Sequence, residues 1–547
     1  MAVVYPRHVP LTLKASNLAT AVVLAAACTA AAIQGVRATR GLRWPGDPDF
    51  ARDIASAEAI AAGHPLSDPF YRGEWAWYNP LVPSLVAGVA TTAGQPIPLI
   101  YARLGAYLNL AAPIAFFALV AAWWGRLVGL AAVLAFLFLI PGRDPGWLAA
   151  TYSPWLLPMH VAQGFAYLAL IAVAVAWREQ SVPAFAIAGA AIGLVFLTHT
   201  APALLIGGVM AVEATRRLVV CRDGLGARWP KGVAICLVVA LVVSAPFLAS
   251  IAWHYRLQVR NAAPMAFVAP ELALENAWSF VRAALTPSVH GLIAAAGWVW
   301  LVRRRRELEA RVLLVASITA LAFLLYSYFV QTDGARALAL SGIVPGHHFV
   351  YYLRAFEAVA FGLGLYAIAG WVGHGLSQAF PGGRRVPVDV VMAALVGAVS
   401  IAAAWTYPGY GARADFWFER QTAERNFADA GLRGMYEWLR RETSAADVVL
   451  APLNTGQYVV GAAGRKVVAV DKLFSNPYVD WGERARDRDE MDRLFTRGEW
   501  TPFLNLAARH RVRYVVRRGE LPTGMTPPPF LSVAWKQGEW VVYRVGR

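Results

Sequence analysis

The sequence predicts a polytopic α-helical membrane protein of about 11 transmembrane helices, followed by a C-terminal α/β domain outside the membrane. Two observations carry this prediction. First, 58% of the 547 residues are hydrophobic and only 15% are charged, whereas soluble domains contain about 25% charged residues. Second, apolar runs fill the chain up to residue 406, and from Tyr407 the composition becomes polar. We therefore predict a membrane domain at 1–406 and an extracytoplasmic domain at 407–547.

The apolar runs are long enough, or nearly so, to cross about 30 Å of hydrocarbon. They lie near 17–36, 98–124, 127–141, 158–177, 183–199, 201–219, 232–251, 288–302, 312–330, 349–372 and 387–406. If the N-terminus lies in the cytoplasm and successive spans cross the membrane in opposite directions, the densest basic clusters lie in cytoplasmic loops. Among them are Arg216-Arg217 and Arg303 to Arg306. This agreement supports the count and predicts a multi-pass protein of the cytoplasmic (inner) membrane.

The net charge of +16 would suggest nucleic acid as a partner of a soluble protein. Here the basic residues cluster at the ends of apolar runs, so membrane lipids explain them better and no nucleic-acid partner is expected. Three cysteines are too few for a disulfide framework.

The first external loop, about 37–97, contains the acidic segment Trp44 to Phe50. Pro48 pushes Asp47 out of helical geometry, and in an extended backbone residues i and i+2 point the same way. Asp47 and Asp49 can then serve as a catalytic base with a helper, or as two ligands of a divalent cation. Asp49 also suits a structural role, as the N-cap of a helix over 50–62 that stops at Gly63.

Further ionisable residues lie near the outer ends of spans, where they are costly and indicate function. Each has a structural alternative. His199 could cap its span; one residue of His347-His348 could bind an anion or a metal, or anchor the interface; Arg354 could hold a phosphate or extend outward to water. Arg260, with Arg256 one turn earlier, could clamp a phosphate or contact lipid.

Several segments together resemble the GT-C class of membrane glycosyltransferases, which use lipid-linked sugar donors. They are the acidic motif Gly46-Asp47-Pro48-Asp49-Phe50, the interface helix at Tyr78-Asn79-Pro80-Leu81, and Thr198-His199-Thr200-Ala201-Pro202 between consecutive spans. Many spans and an external C-terminal α/β domain complete the likeness. Asn79 stands where related enzymes often have a second proline.

The resemblance implies an inverting glycosyltransferase that moves a sugar from a polyprenyl-phosphate donor to a glycan, lipid or protein acceptor. Asp47 would be the base and Asp49 a helper or a ligand of Mg²⁺ or Mn²⁺. The residues expected to bind substrate are Tyr78, Asn79, His199, Arg260, His347, His348 and Arg354. A multi-spanning transporter or flippase of a lipid-linked or small anionic substrate is the alternative, although the chain shows no paired half-chain repeat.

In the C-terminal domain, the segment from Asp471 to Trp481 is rich in polar and aromatic residues. It could contact a carbohydrate acceptor, or it could be an ordinary surface loop.

Overall fold

A computed structural model of the chain describes residues 12–139, 151–221, 228–338, 342, 344–379, 385–410, 414–521 and 525–546. Up to residue 410 the regular structure of the described chain consists of helices, apart from an isolated bridge between Ser67 and Trp75. Its helices are α1 (Thr12–Thr39), α2 (Asp49–Ala61), α3 (Leu81–Ala93), α4 (Ile97–Arg103), α5 (Gly105–Leu108), α6 (Ala111–Trp124), α7 (Arg126–Leu134), α8 (Pro158–Glu179), α9 (Val182–Thr198), α10 (Thr200–Val219), α11 (Arg228–Tyr255), α12 (Ala277–Leu285), α13 (Val289–Arg303), α14 (Leu308–Phe329), α15 (Asp333–Ala337), α16 (His347–Ala379) and α17 (Val388–Tyr410).

The predicted spans coincide with these helices wherever the structure describes them. Among the described residues, seven helical stretches are long and apolar enough to cross a membrane, in α1, α4–α6, α8, α11, α14, α16 and α17. Four shorter apolar helical stretches, including 126–139, 182–198 and 289–303, are also present. The polytopic helical fold class is thus confirmed, and the count of 11 spans stays a prediction.

The predicted span 98–124 coincides with one helical stretch, Ile97–Trp124. Irregular turns at Leu104 and at 109–110 divide it into α4, α5 and α6, although Leu104, Asn109 and Leu110 keep right-handed helical backbone angles. Gly105 follows the first of these turns, and a Cβ there would lie 2.3 Å from the carbonyl oxygen of Pro154. The chain at 154–156 therefore passes directly over this point of the helix.

Tight backbone contacts hold the helical part together. α13 and α16 cross so closely that a Cβ on Gly297 would lie 1.7 Å from the Ala360 carbonyl oxygen, and one on Gly364 would lie 1.9 Å from that of Ile293. Small residues at such crossings let helices approach closely, which is how transmembrane helices gain packing energy without a hydrophobic driving force.

The C-terminal domain is the predicted α/β unit. Its helices are α18 (Ala414–Asn426), α19 (Ala430–Glu442), α20 (Leu453–Ala463), α21 (Trp481–Arg497) and α22 (Trp500–Arg509). Five strands, β1 (Val448–Leu450), β2 (Lys466–Val467), β3 (Val512–Arg518), β4 (Leu531–Gln537) and β5 (Trp540–Val545), form one sheet in the order β2-β1-β3-β5-β4. The β2, β1 and β3 strands are parallel, and β5 and β4 add an antiparallel hairpin.

This domain packs directly on the first long loop. α20 lies against α2, since a Cβ on Gly461 would be 2.9 Å from the Cα of Ala51. Beside this contact, Arg440 forms an ion pair with Glu58 at 2.7 Å. The loop, α2 and α20 therefore form one packed layer at the end of the helical bundle where α1 ends.

Candidate active site

Asp47 is held by the turn that begins α2. Its Oδ1 accepts a hydrogen bond from the backbone N–H of Asp49 at 2.8 Å, and its carbonyl accepts one from Phe50 at 3.2 Å. Such a turn is typical of aspartate before a helix. Burial, followed by the charge of Asp49, raises the pKa of Asp47 to about 7. A carboxylate with this pKa suits a general base at neutral pH.

The two acids are close, but not for the reason that the sequence suggested. Pro48 lies in the helical region, with φ −59° and ψ −26°, and Asp49 is the first residue of α2. The predicted extended backbone between Asp47 and Asp49 is wrong, and so is the prediction that Asp49 is the N-cap. The predicted helix over 50–62 and its stop at Gly63, with φ +83°, are confirmed.

Arg52 joins the acids of α2 into one cluster. Its Nε donates to Asp53 Oδ1 at 2.8 Å, and its Nη1 lies 3.2 Å from Asp49 Oδ1. Its guanidinium also covers the Tyr78 ring at 3.5 Å from the centroid, a cation–π contact. Arg52 is only 7% exposed and Asp53 is fully buried. We call Asp47, Asp49 and Asp53 the acidic cluster.

Arg52 and Asp53 were not identified from the sequence. The predicted helix offered a signal for them, because residues three and four apart share a helix face, which brings Arg52 and Asp53 to the face of Asp49. The burial of Asp53 raises its pKa to about 6, against the opposing influence of Arg52. Its second oxygen, Oδ2, is buried and has no hydrogen-bond partner among the described residues.

Histidines from separate helices meet next to this cluster. His199 lies between α9 and α10 and caps α10, since its Nδ1 accepts from the Ala201 N–H at 3.3 Å; its role in substrate binding stays a prediction. Its ring contacts the ring of His348, at the start of α16, with ring centroids 4.4 Å apart. The ring centroids of His347 and His348 are 4.0 Å apart. Arg52 is close enough to act electrostatically on both His199 and His348. We call His199, His347 and His348 the histidine cluster.

Asn79 connects the loop to the histidine cluster. Its Nδ2 donates to the Phe196 carbonyl at 2.5 Å, near the end of α9, and lies 3.4 Å from Thr200 Oγ1. The expected interface helix is α3, which begins at Leu81 directly after Pro80, but it has no side-chain cap, so Asn79 does not cap it. The neighbouring Tyr78 contributes its ring to Arg52 instead.

The two other arginines expected at the site have different surroundings. Arg354 forms an ion pair with Glu357 at 3.1 Å, and Glu357 also lies 3.5 Å from His290 of α13. Arg260 is exposed, and its backbone N–H donates to the Pro477 carbonyl at 2.9 Å. No described contact connects either arginine to the acidic or histidine cluster. Both remain predictions that the geometry does not strengthen.

The polar segment after β2 contacts the first loop. Asn476 donates to the carboxylate of Asp68 at 2.7 Å, and the same carboxylate accepts from the N–H groups of Phe70 and Tyr71 at 2.6 and 2.7 Å. Asp68 and Asn476 are fully buried. This part of the segment is therefore an anchor for the loop, and Asn476 is not available to an acceptor.

The acidic cluster does not fit a divalent cation well. Asp49 and Asp53, two of its three carboxylates, already face Arg52. Among the residues that the structure describes, no group of three or more His, Cys, Asp or Glu side chains is placed to hold a metal ion. The expected Asp49 ligation of Mg²⁺ or Mn²⁺ thus lacks support from the side chains present, and we derive no step through a metal.

Comparison with solved structures identifies the fold. The structure matches ArnT from Cupriavidus metallidurans in the apo state with a TM-score of 0.56 and 15% sequence identity, over 97% of this chain and 98% of that chain. The chain has the fold of ArnT. The structure of ArnT bound to undecaprenyl phosphate matches with the same TM-score and 14% identity, over 96% and 97% of the two chains.

A more distant match is AglB, the archaeal oligosaccharyltransferase from Archaeoglobus fulgidus, in complex with an inhibitory peptide and a dolichol-phosphate. Its TM-score is 0.48 at 14% identity, over 92% of this chain and 70% of that chain. No family model and no curated protein matches the sequence. The GT-C-like architecture expected from the sequence is confirmed at the level of the fold.

Proposed function

We propose that this protein is an inverting glycosyltransferase that moves a sugar from a polyprenyl-phosphate donor to a glycan, lipid or protein acceptor at the outer face of the cytoplasmic membrane. One observation carries the proposal. A carboxylate with a pKa near 7, a buried arginine and three histidines converge at one end of a helical bundle with the ArnT fold.

The likeness in fold supports the proposed donor class. ArnT was solved with undecaprenyl phosphate, a polyprenyl phosphate, and the likeness covers almost the whole of both chains. A donor of this type has its phosphate at the bilayer surface and its tail in lipid. In the proposed orientation, the loop that contains Asp47 would lie at the bilayer surface next to the helix ends, so a phosphate there would reach the acidic and histidine clusters while the tail stays between helices.

Asp47 is the general base of the proposed reaction. The acceptor hydroxyl loses its proton to Asp47 as its oxygen bonds to the anomeric carbon of the sugar. The bond from that carbon to the phosphate oxygen breaks, and the polyprenyl phosphate leaves as an anion. A single displacement of this kind inverts the anomeric configuration.

The leaving phosphate needs positive charge more than it needs a proton. Arg52 supplies a fixed charge at the acidic cluster. His199 and His348 lie beside it and offer ring nitrogens to phosphate oxygens, with His347 behind His348. Asn79 fixes the His199 turn in place, and Tyr78 fixes Arg52.

The proposal is tested with a labelled polyprenyl-phosphate sugar and the purified wild-type protein, first in detergent and then in vesicles. Transfer to acceptors in a membrane extract, or slow hydrolysis of the donor without acceptor, supports the enzyme. The anomeric configuration of the product, read by NMR, should be opposite to that of the donor. Donor that stays intact while crossing vesicles would instead establish the transporter.

A further inference from the structure

We propose, resting on the function proposed above, that Arg52 takes the place of a divalent cation at the acidic cluster, so that sugar transfer needs no metal. Arg52 then acts as a catalytic residue whose guanidinium binds the donor phosphate, while Asp49 and Asp53 hold it in position.

The first argument is the number of fixed contacts on Arg52. Its Nε and Nη1 each face a carboxylate oxygen, at 2.8 Å for Asp53 and 3.2 Å for Asp49, and one face of its plane covers the Tyr78 ring. A lysine or a hydrated cation could not reproduce this planar arrangement, because only a guanidinium presents a rigid fork of five donors. The side chain is thus held in one orientation.

The second argument is electrostatic. A divalent cation requires carboxylate oxygens that are free to coordinate it, and Arg52 already contacts one oxygen of each of two of the three acids in the cluster, Asp49 and Asp53. A cation placed between Asp49 and Asp53 would have to displace the guanidinium into a buried region, where an unpaired charge is strongly disfavoured. The described side chains offer no alternative set of three ligands.

The third argument is that Arg52 has unused binding capacity on the side of the substrate. Two of its five donors serve the two carboxylates, which leaves donors for a third anion. His199 and His348 lie within electrostatic range of the same guanidinium. A phosphate between Arg52 and these histidines would find a permanent charge and neutral ring donors together, which is the chemistry that a metal supplies in other phosphate sites.

The test uses the full-length protein with three readouts: transfer from the labelled donor in excess EDTA, transfer after adding millimolar Mg²⁺ or Mn²⁺, and Mn²⁺ binding followed by electron paramagnetic resonance. We expect wild-type transfer to be unchanged by EDTA and no stoichiometric Mn²⁺ binding. Arg52→Gln should lower transfer at least 100-fold in EDTA. Because this change frees Asp49 and Asp53, it should also create Mn²⁺ binding, and added Mn²⁺ should restore transfer at least tenfold.

Arg52→Lys keeps the charge but cannot bridge two carboxylates, so we expect roughly tenfold slower transfer that stays insensitive to EDTA. Arg43→Gln is the matched control, because Arg43 lies in the same loop, is 72% exposed and has only a 3.7 Å ion pair with Glu437; its transfer rate should equal that of the wild type. Size-exclusion profiles show which variants are folded.

Wild-type transfer that EDTA abolishes and Mg²⁺ or Mn²⁺ restores would overturn the inference, as would Arg52→Gln at wild-type speed in EDTA. If Arg52→Gln does not fold, wild-type transfer in EDTA and Mn²⁺ binding to the wild type still show whether the reaction needs a metal. Failure of the proposed function looks different: the wild type would transfer no sugar under any ionic condition. Even then, stoichiometric Mn²⁺ binding that Asp49→Asn removes would show that the cluster is a metal site.

Discussion

Replacing Asp68 with alanine should release the first loop from the C-terminal domain. The Asp68 carboxylate is fully buried and accepts three hydrogen bonds of 2.6 to 2.7 Å, from the backbone N–H groups of Phe70 and Tyr71 and from Asn476. The loop itself is closed by a bridge between Ser67 and Trp75. Asp68→Ala removes the acceptor of all three bonds, after which the Asn476 amide nitrogen keeps, among the described residues, only the Tyr255 hydroxyl at 3.1 Å and the Trp75 carbonyl at 3.5 Å.

The magnitude follows from these contacts. A hydrogen bond to a charged group contributes about 1.5–3 kcal/mol, and a buried donor left unpaired costs about 1–3 kcal/mol. Three such losses do not add fully, because the site relaxes. Burial also raises the pKa of Asp68 to about 6, so the ionised carboxylate carries a desolvation cost that alanine removes. We expect a net loss of about 3–4 kcal/mol, which is near the effect of breaking a buried charge pair.

Hydrogen exchange followed by mass spectrometry is the appropriate assay, since a multidomain membrane protein has no single two-state unfolding free energy. Protection of the segments 66–76 and 471–480 should fall about 100- to 1000-fold, because 1.4 kcal/mol corresponds to a factor of ten. Glu437→Ala, at a half-exposed ion pair, should change protection by less than threefold. Unchanged exchange in Asp68→Ala would refute the claim that this carboxylate anchors the loop.

Three further predictions concern separate features. The first concerns pH: burial raises the pKa of Asp47 to about 7, and the base must be ionised to act. The measured kcat/KM should therefore rise about tenfold per pH unit below pH 7 and level off above it. A flat profile between pH 6 and 8 would contradict this. Gly297→Ala should force α13 away from α16, at an overpacking cost of about 1–3 kcal/mol, and so lower the melting temperature in detergent. The control Gly370→Ala should leave the melting temperature unchanged, because a Cβ at Gly370 meets nothing within 4 Å. Arg420 donates hydrogen bonds to three carbonyls at the end of α1, at 2.9 to 3.2 Å. Arg420→Ala should therefore destabilise the end of α1 by about 1–2 kcal/mol. If Arg420→Ala and the surface control Arg425→Ala had the same melting temperature, that role would be contradicted.

The sequence predicted those features that follow from composition and periodicity. Apolar runs located the helices of the membrane part because burial in lipid requires long apolar stretches. The change to a polar composition after Tyr407 predicted the separate C-terminal domain. The close packing of the chain at 154–156 on Gly105 was not predictable, because it is a contact between two segments that are distant in the sequence.

The candidate site was predicted in part. The acidic motif and His199 were found because carboxylates and a histidine at span ends are unusual. The relation between Asp47 and Asp49 was misread, since Pro48 permits both extended and helical geometry and the structure adopts the helical one. The buried pair of Asp68 and Asn476 could not be read from the sequence at all, because 408 residues separate its members.

The most direct test of the account is the Asp47→Asn variant, measured by single-turnover transfer and by equilibrium binding of the labelled polyprenyl-phosphate sugar. Asparagine keeps an oxygen for the Asp49 N–H but cannot accept the acceptor's proton. We predict that transfer falls about 10²- to 10⁴-fold, the range for loss of a general base, while the Kd for the donor changes less than threefold. Transfer at the wild-type rate by Asp47→Asn would contradict the account.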